Sequence, residues 1–270
     1  MEESISPRPD AIRTVPPKGA VPAVLRAARL LETLASAREP LSLVAIAERL
    51  GLPRSSVHGL CATLVATGLA TRFDNGTYHL GSRVLDLAQA YLARTDLTGE
   101  FSRVLQAADP IPEESVVLSV LDGPDIVYVA CRSGTRPFGF SLRIGMRLPA
   151  NCTASGKALL ASLDDEQVDA LAQAGRLYGL TERSITDPAE LKRELALVRK
   201  RGYAVDTEET RKGIVCFGAP VHGSTGRTAV AAVGISMPKI ALDAAQRAKA
   251  IRAVREVAEA LSKRLGAAAS

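Results

Sequence analysis

Tryptophan is absent from this 270-residue chain and aromatic residues make up only 4% of it, which argues against a single-strand binder built on stacking platforms. Cysteine is scarce and scattered. Cys61, Cys131, Cys152 and Cys216 form no CxxC pair and show none of the clustered Cys/His spacing that holds zinc, so neither a structural metal nor a disulfide framework is expected. No apolar stretch approaches the ~20 residues of a membrane span, and no apolar region follows the first few charges as in a secretory leader. The expectation is a soluble cytoplasmic protein with no membrane partner and no cofactor.

What is present is 47% hydrophobic residues in a chain long enough for two packed domains, with a formal charge of +5 and a pI near 9.2. A basic balance permits a nucleic-acid partner without demanding one. The excess is denser in front: residues 1–95 hold 11 Lys/Arg against 8 Asp/Glu, and the remainder 23 against 21.

Residues 1–20, with Pro7, Pro9, Pro16 and Pro17 among Arg8, Arg13 and Lys18, read as a disordered basic arm. From Pro22 a helix follows with Val24, Ala28, Leu31 and Leu34 at helical spacing, and Glu39-Pro40 ends it. Ser42 caps a short second helix that Gly51 stops. Pro53 opens a third, whose inner arc holds Val57, Leu60, Cys61, Leu64, Val65 and Gly68. The runs ATRF and TYHL then flank Asp74-Asn75-Gly76, a strong hairpin signal. Three helices and a hairpin make a winged helix-turn-helix over 21–81. Ser82 caps a helix through Arg94, and Leu97 to Ala108, closed by Asp109-Pro110, completes a helical linker over 82–110.

Beyond it, over 111–270, the grammar changes. SVVLSVLDG, DIVYVACR, RPFGFSLR, GYAVD, IVCFGAPV and TAVAAVGIS are β-rich runs. Between and after them lie helices, notably DPAELKRELALVRKRG with Asp187 as cap, Pro188 first, Glu190 in capping-box position and Gly202 as stop, and a last one from about Leu242 to Leu265. Short turns between most strands predict a mainly antiparallel sheet with helices packed on it, an α+β fold.

The third helix carries the first functional signal. Its outer face, Ser55, His58, Gly59, Ala62, Thr63 and Ala66, is short and polar where a merely solvated helix would carry Lys and Glu. A helix that enters a major groove needs such side chains so that its backbone approaches base edges. Arg54 reaches a phosphate or a guanine edge, and Ser55, Ser56 and His58 can donate to phosphates or bases. Arg72, on the wing, either touches phosphate or solvates the hairpin. One such helix reads few base pairs, so a dimer on an inverted repeat of double-stranded DNA is expected.

From about residue 22 to 266 the chain resembles the IclR-type bacterial transcriptional regulators, the isocitrate lyase regulator family. The segments LSLVAIAERLGLPRSSVHGLCATLVATGLATR and YHLGSRVLDLA are similar to its DNA-binding domain and exit, while RLPANCTASGKALLA, LKRELALVRKRGYAVDTEE, GIVCFGAP, AAVGISMP and LSKRLG are similar to successive parts of its effector domain. The resemblance implies a GAF-like or profilin-like C-terminal domain, a homodimer or dimer-of-dimers tetramer, and control by small, often carboxylate-bearing metabolites. Carried over by motif, the effector residues are Ala154, Ser155, Asp206, Cys216, Gly234 and Ser236. Two positions depart from the pattern: Gly59 stands where relatives commonly have Arg, and Gly234 where a serine is frequent, which implies a larger or less polar ligand.

Two other readings compete. Cys152 or Cys216 with His222 and Asp206 would make a cysteine-dependent enzyme, but neither cysteine lies in a nucleophile motif and His222 falls in the turn-like VHGSTG. ASGKALL lacks the earlier glycine and the following Ser/Thr of a phosphate loop, leaving Lys157 a structural residue. A metabolite sensor that binds no DNA is the other alternative.

Overall fold

The computed structural model describes residues 19–92, 97–107, 114–134, 142–173, 177–224 and 228–267. The basic arm up to residue 18, most of the RPFGFSLR run, and the expected helix ends at Arg94 and Ala108 with Asp109-Pro110 lie outside these. The described chain falls into two compact units that divide between residues 94 and 95.

The first unit contains α1 (Pro22–Ser36), β1 (Leu41–Ser42), α2 (Leu43–Leu50), α3 (Arg54–Ala66), β2 (Ala70–Arg72), β3 (Thr77–Leu80) and α4 (Arg83–Leu92). Its core joins Leu30, Leu34, Leu41, Ile46, Val57, Cys61, Leu64 and Tyr78. Of the stripe expected through Val24, Ala28, Leu31 and Leu34, Leu34 is buried and Leu31 packs against the core, but Val24 is 65% exposed and Leu30 is buried, so the stripe is turned toward Leu30. Ser42 accepts from the Ala45 amide at 3.2 Å, and Gly51 ends α2 at φ 63, a conformation that glycine adopts without a Cβ penalty. Pro53 is the residue before α3 and not its first turn. Val65 of the expected inner arc is exposed, and Gly68 lies past the helix at φ 74.

The wing forms as expected. Asn75 Oδ1 accepts from the Thr77 amide at 3.1 Å and its hydroxyl at 2.6 Å, and Gly76 takes φ 79. The two residues of β1 pair with β3, giving a three-stranded sheet in the order β1-β3-β2. That short strand has no period of its own to announce it.

The second unit contains α5 (Leu97–Ala107), β4 (Ser115–Asp122), β5 (Asp125–Arg132), β6 (Arg147–Pro149), α6 (Ala154–Leu160), α7 (Asp165–Gln173), α8 (Pro188–Arg201), β7 (Ala204–Thr207), β8 (Ile214–His222), β9 (Ala229–Pro238) and α9 (Ala244–Arg264). The sheet order is β6-β5-β4-β9-β8-β7, antiparallel at every step. This is the α+β architecture expected, with the three residues of β6 as an unanticipated edge. His222 ends β8 instead of lying in a loop, its amide donating to Ser262 Oγ at 3.0 Å.

Helix α6 packs on one face of the sheet and α8 stands beside it. The other face receives α9, where the Arg247 guanidinium lies 5.4 Å from the Phe217 ring centre, and α5 packs on α9 through its buried Leu97, Phe101, Val104 and Leu105. Asp187 accepts from the Glu190 amide at 2.8 Å to start α8, and Gly202 stops it at φ 75.

Candidate functional site

On the first unit, Arg54, Ser55, His58, Gly59, Ala62 and Thr63 are exposed along one side of α3, and Ser56 is half-buried. Cys61, Val57 and Leu64 anchor the opposite side in the core. His58 is therefore no core histidine. The Thr63 hydroxyl donates to the Gly59 carbonyl at 2.9 Å, so it offers an approaching group lone pairs more readily than a proton. Arg72 is exposed on β2 with its guanidinium 6.0 Å from the centre of the Tyr78 ring, which steadies it at the wing. Phe73, beside it, is 46% exposed and had no sequence signal as a contact.

On the second unit the six expected effector residues, drawn from four separate stretches, line one cavity. Sheet register explains how. Asp206 pairs with Cys216 and Cys216 with Ser236, so β7, β8 and β9 lay these three side by side. Two residues further along the same face, Gly218 pairs with Gly234 and Gly234 with Val117. The glycine row is where α6 comes down. A Cβ at Gly218 would lie 2.4 Å from the carbonyl carbon of Ala154 and 2.5 Å from the Ser155 amide nitrogen, and one at Gly156 would lie 2.3 Å from the Ala150 carbonyl oxygen. Without side chains there, Thr153 caps α6 by accepting from the Gly156 amide at 3.0 Å, and Ala154 and Ser155 rest against the sheet. The polar row beside them stays uncovered and floors the cavity.

A Cβ at Gly234 would lie 3.6 Å from Ser155 Cβ and 2.9 Å from Val117 Cγ2, so the glycine enlarges the cavity at the Ser155 side. The remaining walls are Val117, Tyr128, Leu148 and Ile214 on the apolar side and Thr153, Thr210 and Arg211 on the polar side. None of these seven was marked by sequence reasoning. Arg211 had the clearest available signal, a basic residue closing the acidic segment DTEET. The cavity measures about 20 Å³, room for roughly one water.

Asp206 is fully buried, and both of its oxygens are engaged. Oδ1 accepts from the Glu209 amide at 2.6 Å and the Thr210 amide at 3.2 Å, and the Thr210 hydroxyl lies 2.6 Å from Oδ2. Burial raises its pKa against the pull of these donors and of Lys157. Its carboxylate is thus chiefly the bracket of the turn that presents Thr210 and Arg211. Cys216 Sγ donates to Ser236 Oγ at 3.3 Å.

The same turn is braced from behind. Glu208 sits at φ 64, a left-handed conformation costly to any residue with a Cβ, and its carboxylate accepts from the Gly213 amide at 2.8 Å and Lys239 Nζ at 2.6 Å. Glu209 Oε1 lies 2.5 Å from Lys157 Nζ, with Glu194 Oε1 at 3.9 Å. Lys157 is 1% exposed, the structural role expected of it. Burial pushes the Glu209 carboxyl up to about 7, the Lys157 ammonium opposing the shift.

Burial also raises the Cys152 thiol to about 11 and the Cys216 thiol well above its ordinary value. Burial thus disfavours the thiolate at both, the opposite of what a cysteine nucleophile needs.

Two family models match the chain: the IclR helix-turn-helix domain over residues 23–73, and the bacterial transcriptional regulator IclR C-terminal domain over 89–263. The chain is 34% identical to the probable transcriptional regulator SauR of Cupriavidus necator, over 82% of this chain and 88% of that protein. It is 32% identical to the transcriptional repressor IclR of Escherichia coli K12, over 86% of this chain and 85% of that one. Among solved structures, Thermotoga maritima IclR superposes with a TM-score of 0.74 at 29% identity, covering 90% of this chain and 98% of that chain.

Proposed function

The chain belongs to the IclR family of bacterial transcriptional regulators, a DNA-binding regulator and not an enzyme, and from that premise we propose which residues meet operator and effector. The operator face is α3 and the wing, with Arg54, Ser55, Ser56, His58, Thr63 and Arg72 as contacts. The effector enters the cavity of the second unit, and the segment 82–110 connects the two. The protein works in the cytoplasm as a homodimer or a dimer of dimers on an inverted repeat.

The observation that carries the effector reading is the convergence of Ala154, Ser155, Asp206, Cys216, Gly234 and Ser236 on one cavity that Arg211 also lines. A guanidinium, a serine and first-turn amides of α6 suit a carboxylate, and Val117, Tyr128, Leu148 and Ile214 suit the apolar body of an organic acid. Asp206 lines the cavity and also holds the turn that presents Thr210 and Arg211. A cavity of about 20 Å³ does not hold such an acid unless its walls move, so binding is coupled to a shift of the Thr210-Arg211 turn or of the apolar wall.

The test is a thermal-shift screen of aliphatic and aromatic carboxylic acids on the full chain, joined to a mobility shift on duplex DNA from upstream of its own coding sequence. An acid that stabilises the wild type should stabilise Arg211→Gln and Ser155→Ala far less, and should change operator affinity. Undiminished stabilisation of both variants would place the ligand elsewhere.

A further inference from the structure

Between α1 and α3 of the first unit runs an open groove of about 400 Å³, lined by Ala23 and Arg26 from α1 and by Ser55, Ser56, Gly59, Leu60 and Thr63 from α3. Arg26 is the charged member of this lining, no carboxylate belongs to it, and among the described residues no acidic side chain pairs with Arg26. The other polar groups are hydroxyls.

The floor supplies a second, independent observation. Gly59 lies within a helix, where glycine costs about 1 kcal/mol relative to alanine, yet a Cβ built on it meets nothing within 4 Å. No protein neighbour therefore requires the glycine. The missing side chain leaves the groove open at Gly59, and a group from outside the chain that seats there would offset the cost.

We propose that this groove receives one sugar-phosphate strand of the operator, with the Arg26 guanidinium on a phosphate, so that α1 and α3 grip the DNA together. The inference rests on the DNA-binding reading of α3. When a helix lies in a major groove about 12 Å wide, the two phosphate strands run along its flanks. An element packed beside that helix and carrying an unpaired cation meets one of them. The Arg26 guanidinium and the Ser55 and Ser56 hydroxyls lining this open groove match phosphate oxygens, and a phosphate contact adds affinity without regard to sequence.

The experiment is fluorescence anisotropy of the full-length protein on a random-sequence 30-bp duplex, and on duplex from upstream of its own coding sequence, across a salt series. Arg26→Ala should weaken binding to both by about tenfold at low salt and lower the slope of log K against log salt by about 0.9 for each Arg26 engaged. Arg26→Lys should keep the slope, and Arg38→Ala, at an exposed arginine that does not line the groove, should keep both. Arg26 is exposed, and an unchanged melting temperature confirms an intact fold. Wild-type affinity and slope in Arg26→Ala overturn the proposal while leaving the α3 reading standing. A change in oligomeric state in place of slope would assign the groove to a second copy of the chain. A wild-type protein without salt-sensitive binding to either duplex would overturn the α3 reading itself.

Discussion

Glycines that look alike in sequence do opposite work at the scale of single residues. At Gly218 an added Cβ would sit 2.4 Å from the backbone of Ala154, so Gly218→Ala must lift α6 off the sheet and should cost about 1 to 3 kcal/mol. Gly59 meets no such obstacle, and Gly59→Ala should raise stability by about 1 kcal/mol while shallowing the α1–α3 groove and weakening DNA binding. Urea unfolding of the two variants, with DNA titration of the second, checks both signs. Glu209 gives a pH dependence. Its folded pKa of about 7 exceeds the ordinary 4.5, so between those values the folded state holds a proton that the unfolded state releases, and stability falls as pH rises. Lowered carboxyls such as Glu208 act in the opposite direction, so the comparison to make is wild type against Glu209→Gln. That stability difference should drop by roughly 2 kcal/mol in favour of the variant from pH 5 to pH 8; a flat or rising difference would refute the assignment.

Helices α2, α8 and α9 have side-chain caps or glycine stops that act within their own units. Ser42 and Gly51 bracket α2, Asp187 and Gly202 bracket α8, and Asp243 starts α9 by accepting from the Gln246 amide at 2.7 Å. Ser42→Ala should cost about 1 kcal/mol and lower only the unfolding transition of the first unit. Asp187→Ala should do the same to the second, where α8 also carries Glu194 beside Lys157. Differential scanning calorimetry separates the two. The elements hardest to foresee are those without a period or cap of their own: β1 and β6, two and three residues long, exist because a partner strand is already there to pair with.

The whole molecule is two units with separate cores, one around Ile46 and Val57 and the other around Ile126, Leu159 and Leu195. A fragment from residue 95 onward should therefore fold alone and retain ligand-induced stabilisation with the affinity of the full chain. Proteolysis resistance and a cooperative melt of the fragment check this. In the full chain, ligand and operator affinities should be coupled by about 1 to 3 kcal/mol and by the same amount in both directions. Measuring ligand affinity with and without operator duplex tests that reciprocity, and equal values would sever the two activities.

Alternating apolar runs, caps and turn signals in the sequence determined both domains, the α+β class and the shallow outer face of α3, because each of these is set by neighbours a few residues apart. The wing needed only Asp74-Asn75-Gly76 between two strands. Tertiary structure decided the rest. It turned α1 so that Leu30 and not Val24 is buried, since the phase of a stripe rich in Ala and Leu is fixed by what packs against it. It brought Ala154, Ser155, Asp206, Cys216, Gly234 and Ser236, known from sequence only through family resemblance, to one cavity, and it added Tyr128 and Arg211. It also gave both oxygens of Asp206 partners in Thr210 and Glu209, so that a residue lining the cavity also braces the turn beside it. Cross-strand register and the seating of α6 on a glycine row join residues as far apart in the chain as Val117 and Gly234, and no local pattern in a chain encodes such a meeting.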